Sequence, residues 1–341
     1  MYSFKNDYSE GAHPRILDSL IESNMVQEEG YGNDTHSKNA ISKIKELTEN
    51  QNIDVHFISG GTQTNLITIG AFLKPYEACI SACSGHIAVN ETGAIEYTGH
   101  KVITVDSSDG KITTEKIQEV LNSYVNEHVV KPKLVYISNP TELGTIYTKK
   151  ELENLYDFCK AKNLILYADG ARLGAAICVK EADLTLKDMC DFTDSFFIGG
   201  TKGGALLGEA LIIKNESLKE DFRYHIKQKG AMLAKGRLLG IQFEELFKDN
   251  LYFELAEHAN KMATLLTNEL KKLNCSFLVN SKTNQIFPIL KNELIKKLEE
   301  KFSFYTWKKI DDNSSAIRLI TSWATKEEKI HEFLSEIKKH N

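Results

Sequence analysis

Leu164-Ile165-Leu166-Tyr167-Ala168-Asp169-Gly170-Ala171-Arg172 is the stretch on which the fold turns. Its apolar run reads as a buried strand, and the strand delivers a carboxylate and a glycine turn at its tip. Working outward, the same scheme repeats. Lys133-Leu134-Val135-Tyr136-Ile137-Ser138 is a buried strand closed by Asn139-Pro140, and residues 151–160 form a helix with Leu152, Leu155, Tyr156 and Cys159 as its apolar stripe. Asp194-Ser195-Phe196-Phe197-Ile198 runs into Gly199-Gly200-Thr201-Lys202-Gly203-Gly204, with Ala210-Leu211-Ile212-Ile213 placed to pair with it as a hairpin. Upstream, the strand Asp54–Ser59 ends in Gly60-Gly61-Thr62 before a helix over 63–74. Strands follow over 78–81 and 101–105, then a helix over 113–128. Strands alternating with amphipathic helices predict an α/β fold, a mostly parallel mixed sheet sandwiched by helices.

After about Leu239 the texture changes. A long helical stretch over 241–272 is followed by strands near 275–279, 285–290, 304–307 and 316–320, a helix over 293–301 and a closing helix from Lys326. The pattern predicts a large domain over 15–245. A smaller α+β C-terminal domain over 246–341 would also take in the N-terminal segment 1–14.

Composition narrows the function classes. Of 341 residues, 42% are hydrophobic and 26% charged, which suits a soluble globular chain. Lys and Arg number 42 against 47 Asp and Glu, a net charge of −5, so no basic nucleic-acid footprint is expected. No apolar run reaches the ~18–20 residues of a membrane helix, and Met1–Arg15 does not read as a secretory signal. The six cysteines, at 79, 83, 159, 178, 190 and 275, form no CxxC pair, so neither a disulfide framework nor a metal site is expected. Together these features predict a cytoplasmic enzyme.

In open α/β sheets ligands sit beyond the carboxyl ends of the strands, and three such ends carry chemistry here. Gly60-Gly61-Thr62 opens a helix, where free N–H groups suit a phosphate, although a plain strand-to-helix turn reads the same way. Lys202 is flanked by glycines after a buried strand. Desolvation would lower its pKa and fit it for a Schiff base, with a structural or anion-binding lysine as the alternative. Asp169 emerges at a strand tip, where its charge needs either Arg172 or a ligand. Lysine, carboxylate and phosphate cradle are the three things pyridoxal phosphate requires, the carboxylate keeping its ring nitrogen protonated.

In order and spacing, Ser59-Gly60-Gly61-Thr62-Gln63-Thr64-Asn65, Ala168-Asp169-Gly170-Ala171-Arg172-Leu173 and Gly199-Gly200-Thr201-Lys202-Gly203 resemble the low-specificity threonine aldolases. These belong with the aromatic amino acid beta-eliminating lyases to the aspartate-aminotransferase-like, fold type I pyridoxal phosphate enzymes. The resemblance runs from Lys5-Asn6-Asp7 through Gly30-Tyr31-Gly32-Asn33-Asp34 and Gly85-His86-Ile87 to Ala316-Ile317-Arg318-Leu319. It implies that Lys202 holds the cofactor covalently, that Asp169 faces its pyridine nitrogen, and that Arg172 sits beside the ring within reach of substrate. His86 would stack on the ring and position the base. Gly61, Thr62 and Thr201 would bind phosphate. Asn6 and Arg318 would meet the substrate carboxylate, Arg318 as a two-pronged fork. The Tyr31 loop, and Lys235 as a compensating cation, would reach a neighbouring subunit's site in a homodimer or homotetramer.

The sequence departs from the family where many members carry a histidine after the 133–138 strand. Here the loop reads Asn139-Pro140-Thr141-Glu142-Leu143-Gly144, with Glu142 or a water as the substitute. The implied reaction is retro-aldol cleavage of L-threonine or L-allo-threonine to glycine and acetaldehyde. Another pyridoxal phosphate lyase or aminotransferase reaction, or a non-catalytic phosphate-ligand binder on the same fold, are the alternatives.

Overall fold

A computed structural model describes residues 1–340; Asn341, the last residue of the expected C-terminal domain, lies outside the described residues. The N-terminal segment forms β1 (Tyr2–Ser3). The central sheet comprises β2 (Asp54–Ile58), β3 (Glu77–Ala82), β4 (Val102–Val105), β5 (Lys131–Ser138), β6 (Ile165–Asp169), β7 (Ser195–Gly199) and β8 (Glu209–Ile213). Its seven strands lie in the order β2-β8-β7-β6-β5-β3-β4. β8 is antiparallel to both neighbours, whereas β4, β3, β5, β6 and β7 pair in parallel. The expected mostly parallel mixed sheet and the hairpin of β7 with β8 are both present.

Period-two alternation explains why these strands look uniformly apolar. On β6, Leu166 and Ala168 enter one core and Ile165 and Tyr167 the other, while β7 divides Phe196 and Ile198 from Phe197 in the same way. One face is covered by helices that include Lys149–Ala161 and Leu251–Lys272, the other by Gly61–Phe72 and Phe222–Gln228. Each fully buried aromatic or aliphatic side chain contributes about 1.5–3 kcal/mol, so burial on both faces holds the sheet between its helix layers.

A second sheet is built from β9 (Ser276–Phe277), β10 (Gln285–Ile286), β11 (Pro288–Lys291), β13 (Tyr305–Lys309) and β14 (Ser314–Ile320), while β12 (Phe302–Ser303) pairs in parallel with β1. Phe4, just after β1, is fully buried with Phe302 and Phe333, its ring 5.3 Å from that of Phe333. The helix Leu251–Lys272 joins the two cores: Tyr252 and Leu255 belong to the central one, Leu266 and Leu270 to the second.

Three departures from the sequence reading have local causes. The helical stretch expected over 241–272 breaks into Arg237–Phe247 and Leu251–Lys272, because Asp249 and Asn250 adopt left-handed φ values of 53° and 62°. Asp and Asn tolerate that region better than most residues. Helices Pro14–Ser23 and Thr35–Leu47 occupy a stretch to which the sequence reading assigns no element. The helix after Gly60 begins at Gly61 rather than Gln63. No helix among the described residues is long and apolar enough to cross a membrane.

The tips of β6 and β7 touch backbone to backbone. A Cβ on Gly170 would fall 1.9 Å from the Phe197 carbonyl oxygen, and one on Gly199 would fall 2.2 Å from that of Ala171. Gly199 N–H donates to the Gly170 carbonyl at 2.9 Å. Gly170→Ala must therefore push the two tips apart. The expected cost is about 1–3 kcal/mol, read as a lowered urea midpoint. An unchanged midpoint would show that the approach is not enforced.

Candidate active site

The carboxyl ends of β2, β6 and β7 open onto one cleft of about 280 Å³. Gly61, Thr62, His86, Asp169, Thr201 and Lys202 all line it, so six of the residues singled out in the sequence come together. Glu142, Glu209 and Tyr8 line it too.

Asp169 is 5% exposed and is held by neutral donors. Tyr136 hydroxyl donates to its Oδ2 at 2.7 Å and Asn65 Nδ2 at 3.0 Å, while the Ala171 N–H donates to Oδ1 at 3.0 Å. Asn65 is itself oriented by the Tyr167 hydroxyl at 2.9 Å. Burial, and then the Asp169 charge, push the Tyr136 phenol far above its usual range, so it stays a donor.

Arg172 is not the partner of Asp169. Its guanidinium forks onto Asp7, Nε to Oδ2 at 2.6 Å and Nη2 to Oδ1 at 3.1 Å. Asn284 adds a donor to the same carboxylate at 2.9 Å. Burial works against the Asp7 charge, but Arg172, Lys202 and Asn284 outweigh it and hold the carboxyl below its ordinary value. Arg172 is thus neutralised and oriented from the N-terminal segment, 165 residues away.

Burial and the Arg172 charge lower the Lys202 pKa, against the pull of Asp7, Glu142 and Asp169. A larger share of its amine is then neutral and nucleophilic. His86 donates from Nδ1 to Glu91 at 2.8 Å, and Glu91 also accepts from Asn65 at 2.8 Å. Burial lowers the imidazole pKa, but the Glu91 hydrogen bond with the Glu142 and Asp169 charges raises it overall. The Gly61–Phe72 helix has no side-chain cap at Gly60, which leaves its first N–H groups available to an anion.

Arg318, on β14, lies over the rings of Trp307 at 4.7 Å and Tyr305 at 5.3 Å. Its Nε is buried without a partner among the described residues. Burial and Arg172 lower its pKa, against Glu142 and Asp7. Asn6 turns inward on its own segment, accepting from Tyr8 N–H and the Ser9 hydroxyl. Tyr31 and Lys235 lie away from the Lys202 cleft, on adjoining loops. Tyr31 N–H donates to the Ala234 carbonyl at 3.1 Å, and Gly236 abuts Gly32. Tyr31 is 46% exposed with a left-handed φ of 61°.

The family model described as beta-eliminating lyase matches residues 11–293. This chain belongs to the beta-eliminating lyase family. Among similar members, the low specificity L-threonine aldolase of Pseudomonas sp. (strain NCIMB 10558) is 30% identical over 342 aligned positions, covering 98% of this chain and 96% of that one. The solved structure of Leishmania major threonine aldolase is 51% identical and matches with a TM-score of 0.98, covering 100% of this chain and 99% of that one. A histidinol-phosphate aminotransferase from Clostridium acetobutylicum matches at a TM-score of 0.73 and 15% identity, covering 100% of this chain and 99% of that one, and so shares the fold.

The residues that hold the candidate site's side chains and were not singled out from sequence are Asn65, Glu91, Tyr136 and Asp7. Asn65 and Asp7 stand inside quoted motifs. Tyr136 carried a signal as well, a hydroxyl in an otherwise apolar strand.

Proposed function

We propose that this protein is a pyridoxal phosphate-dependent aldolase that cleaves L-threonine or L-allo-threonine to glycine and acetaldehyde. One observation carries the reading: a partly buried lysine with lowered pKa, a carboxylate held by neutral donors and an uncapped helix N-terminus share one cleft. That donor set fits the aldehyde, ring nitrogen and phosphate of the cofactor. When bound, pyridoxal phosphate supplies a ring that accepts the electron pair of the breaking Cα–Cβ bond.

The chain's own residues do the rest. Lys202 would hold the cofactor through its amine, which burial and Arg172 make more readily neutral. Asp169 would face the ring nitrogen, its oxygens held in place by Tyr136, Asn65 and the Ala171 N–H. The Gly61 and Thr62 N–H groups and the Thr201 side chain take the phosphate. The unpartnered Arg318 Nε binds the substrate carboxylate, beside Arg172, which Asp7 holds in place. His86, fixed by Glu91 and lining the same cleft, would position the group that takes the β-hydroxyl proton. Purified protein given L-threonine should release acetaldehyde and glycine in equal amounts, and Lys202→Ala should abolish this. Arg318→Ala should raise KM for threonine about 30-fold or more, since losing a buried charged hydrogen bond costs about 2–5 kcal/mol. No acetaldehyde from wild type would reject the reading.

The adjoining Tyr31 and Lys235 loops support a second element: a two-fold assembly in which these residues complete the neighbouring subunit's site. Mixing Lys202→Ala with Tyr31→Ala subunits, each inactive alone, should restore activity as mixed dimers form. Verified exchange without recovery would place Tyr31 within its own chain's chemistry.

A further inference from the structure

Glu209 lines the cleft, yet none of the steps above uses it. It opens β8, where it pairs with Ile58 at the end of β2 and with Gly199 at the end of β7. The carboxyl therefore stands between the uncapped helix turn and the turn that carries Lys202, and it is only 4% exposed. Both of its hydrogen-bond donors are neutral: the Gly200 N–H reaches Oε2 at 3.1 Å, and the Thr201 hydroxyl lies 2.9 Å from Oε1. Thr201 Oγ also accepts the Gly208 N–H at 3.0 Å.

A hydroxyl has one hydrogen and two lone pairs, so the proton on Glu209 decides what Thr201 can offer the cleft. With Glu209 ionised, the Thr201 hydrogen is committed to Oε1. An acceptor-only phosphate then meets a carboxylate and gains no donor from Thr201. With Glu209 protonated, Oε1–H donates to Thr201 Oγ, and the Thr201 hydrogen is released to a phosphate oxygen. We propose that Glu209 is a proton-linked positioning residue for the phosphate group: it carries a proton whenever phosphate is bound, so where it is ionised in the free protein, binding takes a proton up from solvent. The proposal rests on the reading that this cleft takes a phosphate-bearing cofactor.

The surroundings agree. Burial raises the Glu209 pKa to about 8. Lys202 pulls it down, as do the Thr201 and Gly200 hydrogen bonds, and Asp169 pushes it up. Tyr167 and Tyr252 also face it, and burial raises both phenols, leaving them uncharged near neutrality. The protonated form therefore prevails below about pH 8 and is lost as pH rises through that value.

The test uses apoprotein and pyridoxamine 5′-phosphate, which has no aldehyde to react with Lys202. Affinity is measured from pH 7 to pH 9 for wild type and Glu209→Gln. The competent fraction of wild type falls about tenfold over that span, and the apparent Kd should rise by the same factor. Glu209→Gln, whose amide always donates, should show a slope flatter by that factor. Comparing the two proteins cancels the titration of the ligand. Calorimetry near pH 8.5 in two buffers should find proton uptake by wild type that Glu209→Gln lacks. Pyridoxamine, without phosphate, should show no difference between the proteins. Equal slopes and equal proton counts would overturn the proposal while leaving the cofactor reading intact. Failure of both proteins to bind pyridoxamine 5′-phosphate would overturn both. If Glu209→Gln does not fold, infrared difference spectra of wild type at pH 9 decide. The ligand should create a protonated-carboxyl band that shifts in Glu209→Asp, and its absence would contradict the proposal.

Discussion

The backbone contact between the tips of β6 and β7 is the constraint on which the site depends. Asp169 is the last residue of β6, and Lys202 follows β7 by three residues. Their loops meet with the Gly170 carbonyl bonded to the Gly199 N–H, at a spacing that excludes any Cβ on either glycine. Asp169 and the turn that carries Lys202 are thereby anchored to strands buried on both faces. Strand ends also bring β2 to the same rim, because β8 returns antiparallel between β2 and β7. One antiparallel strand in a parallel sheet is what places a helix N-terminus beside the lysine.

Charge in the cleft follows a consistent plan. Asp169 is held by neutral hydrogen-bond donors alone. Arg172 is paired off with Asp7, so the N-terminal segment reaches the centre of the site while its Phe4 is buried in the second core. Arg318 and Lys202 are each buried against a neighbouring cation, which lowers both pKa values. Cations without a bonded carboxylate in a desolvated cleft are matched by an incoming anion.

Much of this was legible in the sequence where the signal is local. A buried strand announces itself by a short apolar run, and a polar residue at its tip faces the rim of the sheet, so Asp169, Lys202 and Gly60-Gly61-Thr62 could be read directly. The family resemblance added His86 and the expectation for Arg318. Partnerships could not be read this way. Asp7 lies 165 positions from Arg172, and Asn65 lies 104 from Asp169. The alternative that pairs Arg172 with its near neighbour Asp169 gives way in the structure to Asp7, while a place beside the cofactor ring stays a proposal. Glu209 had a local signal, a carboxyl at the head of a wholly apolar strand, but its meaning needs the register that sets it beside Gly199. The break at Asp249 and Asn250 was hidden because apolar periodicity continues across it while the backbone does not.

The central claim is that Lys202 is the residue to which pyridoxal phosphate is joined. Purified protein reconstituted with pyridoxal phosphate should show a visible absorbance band that borohydride bleaches. Peptide mass mapping after reduction should then find the phosphopyridoxyl group on Lys202. A band that resists borohydride, or a reduced adduct carried by a different lysine, would contradict the account.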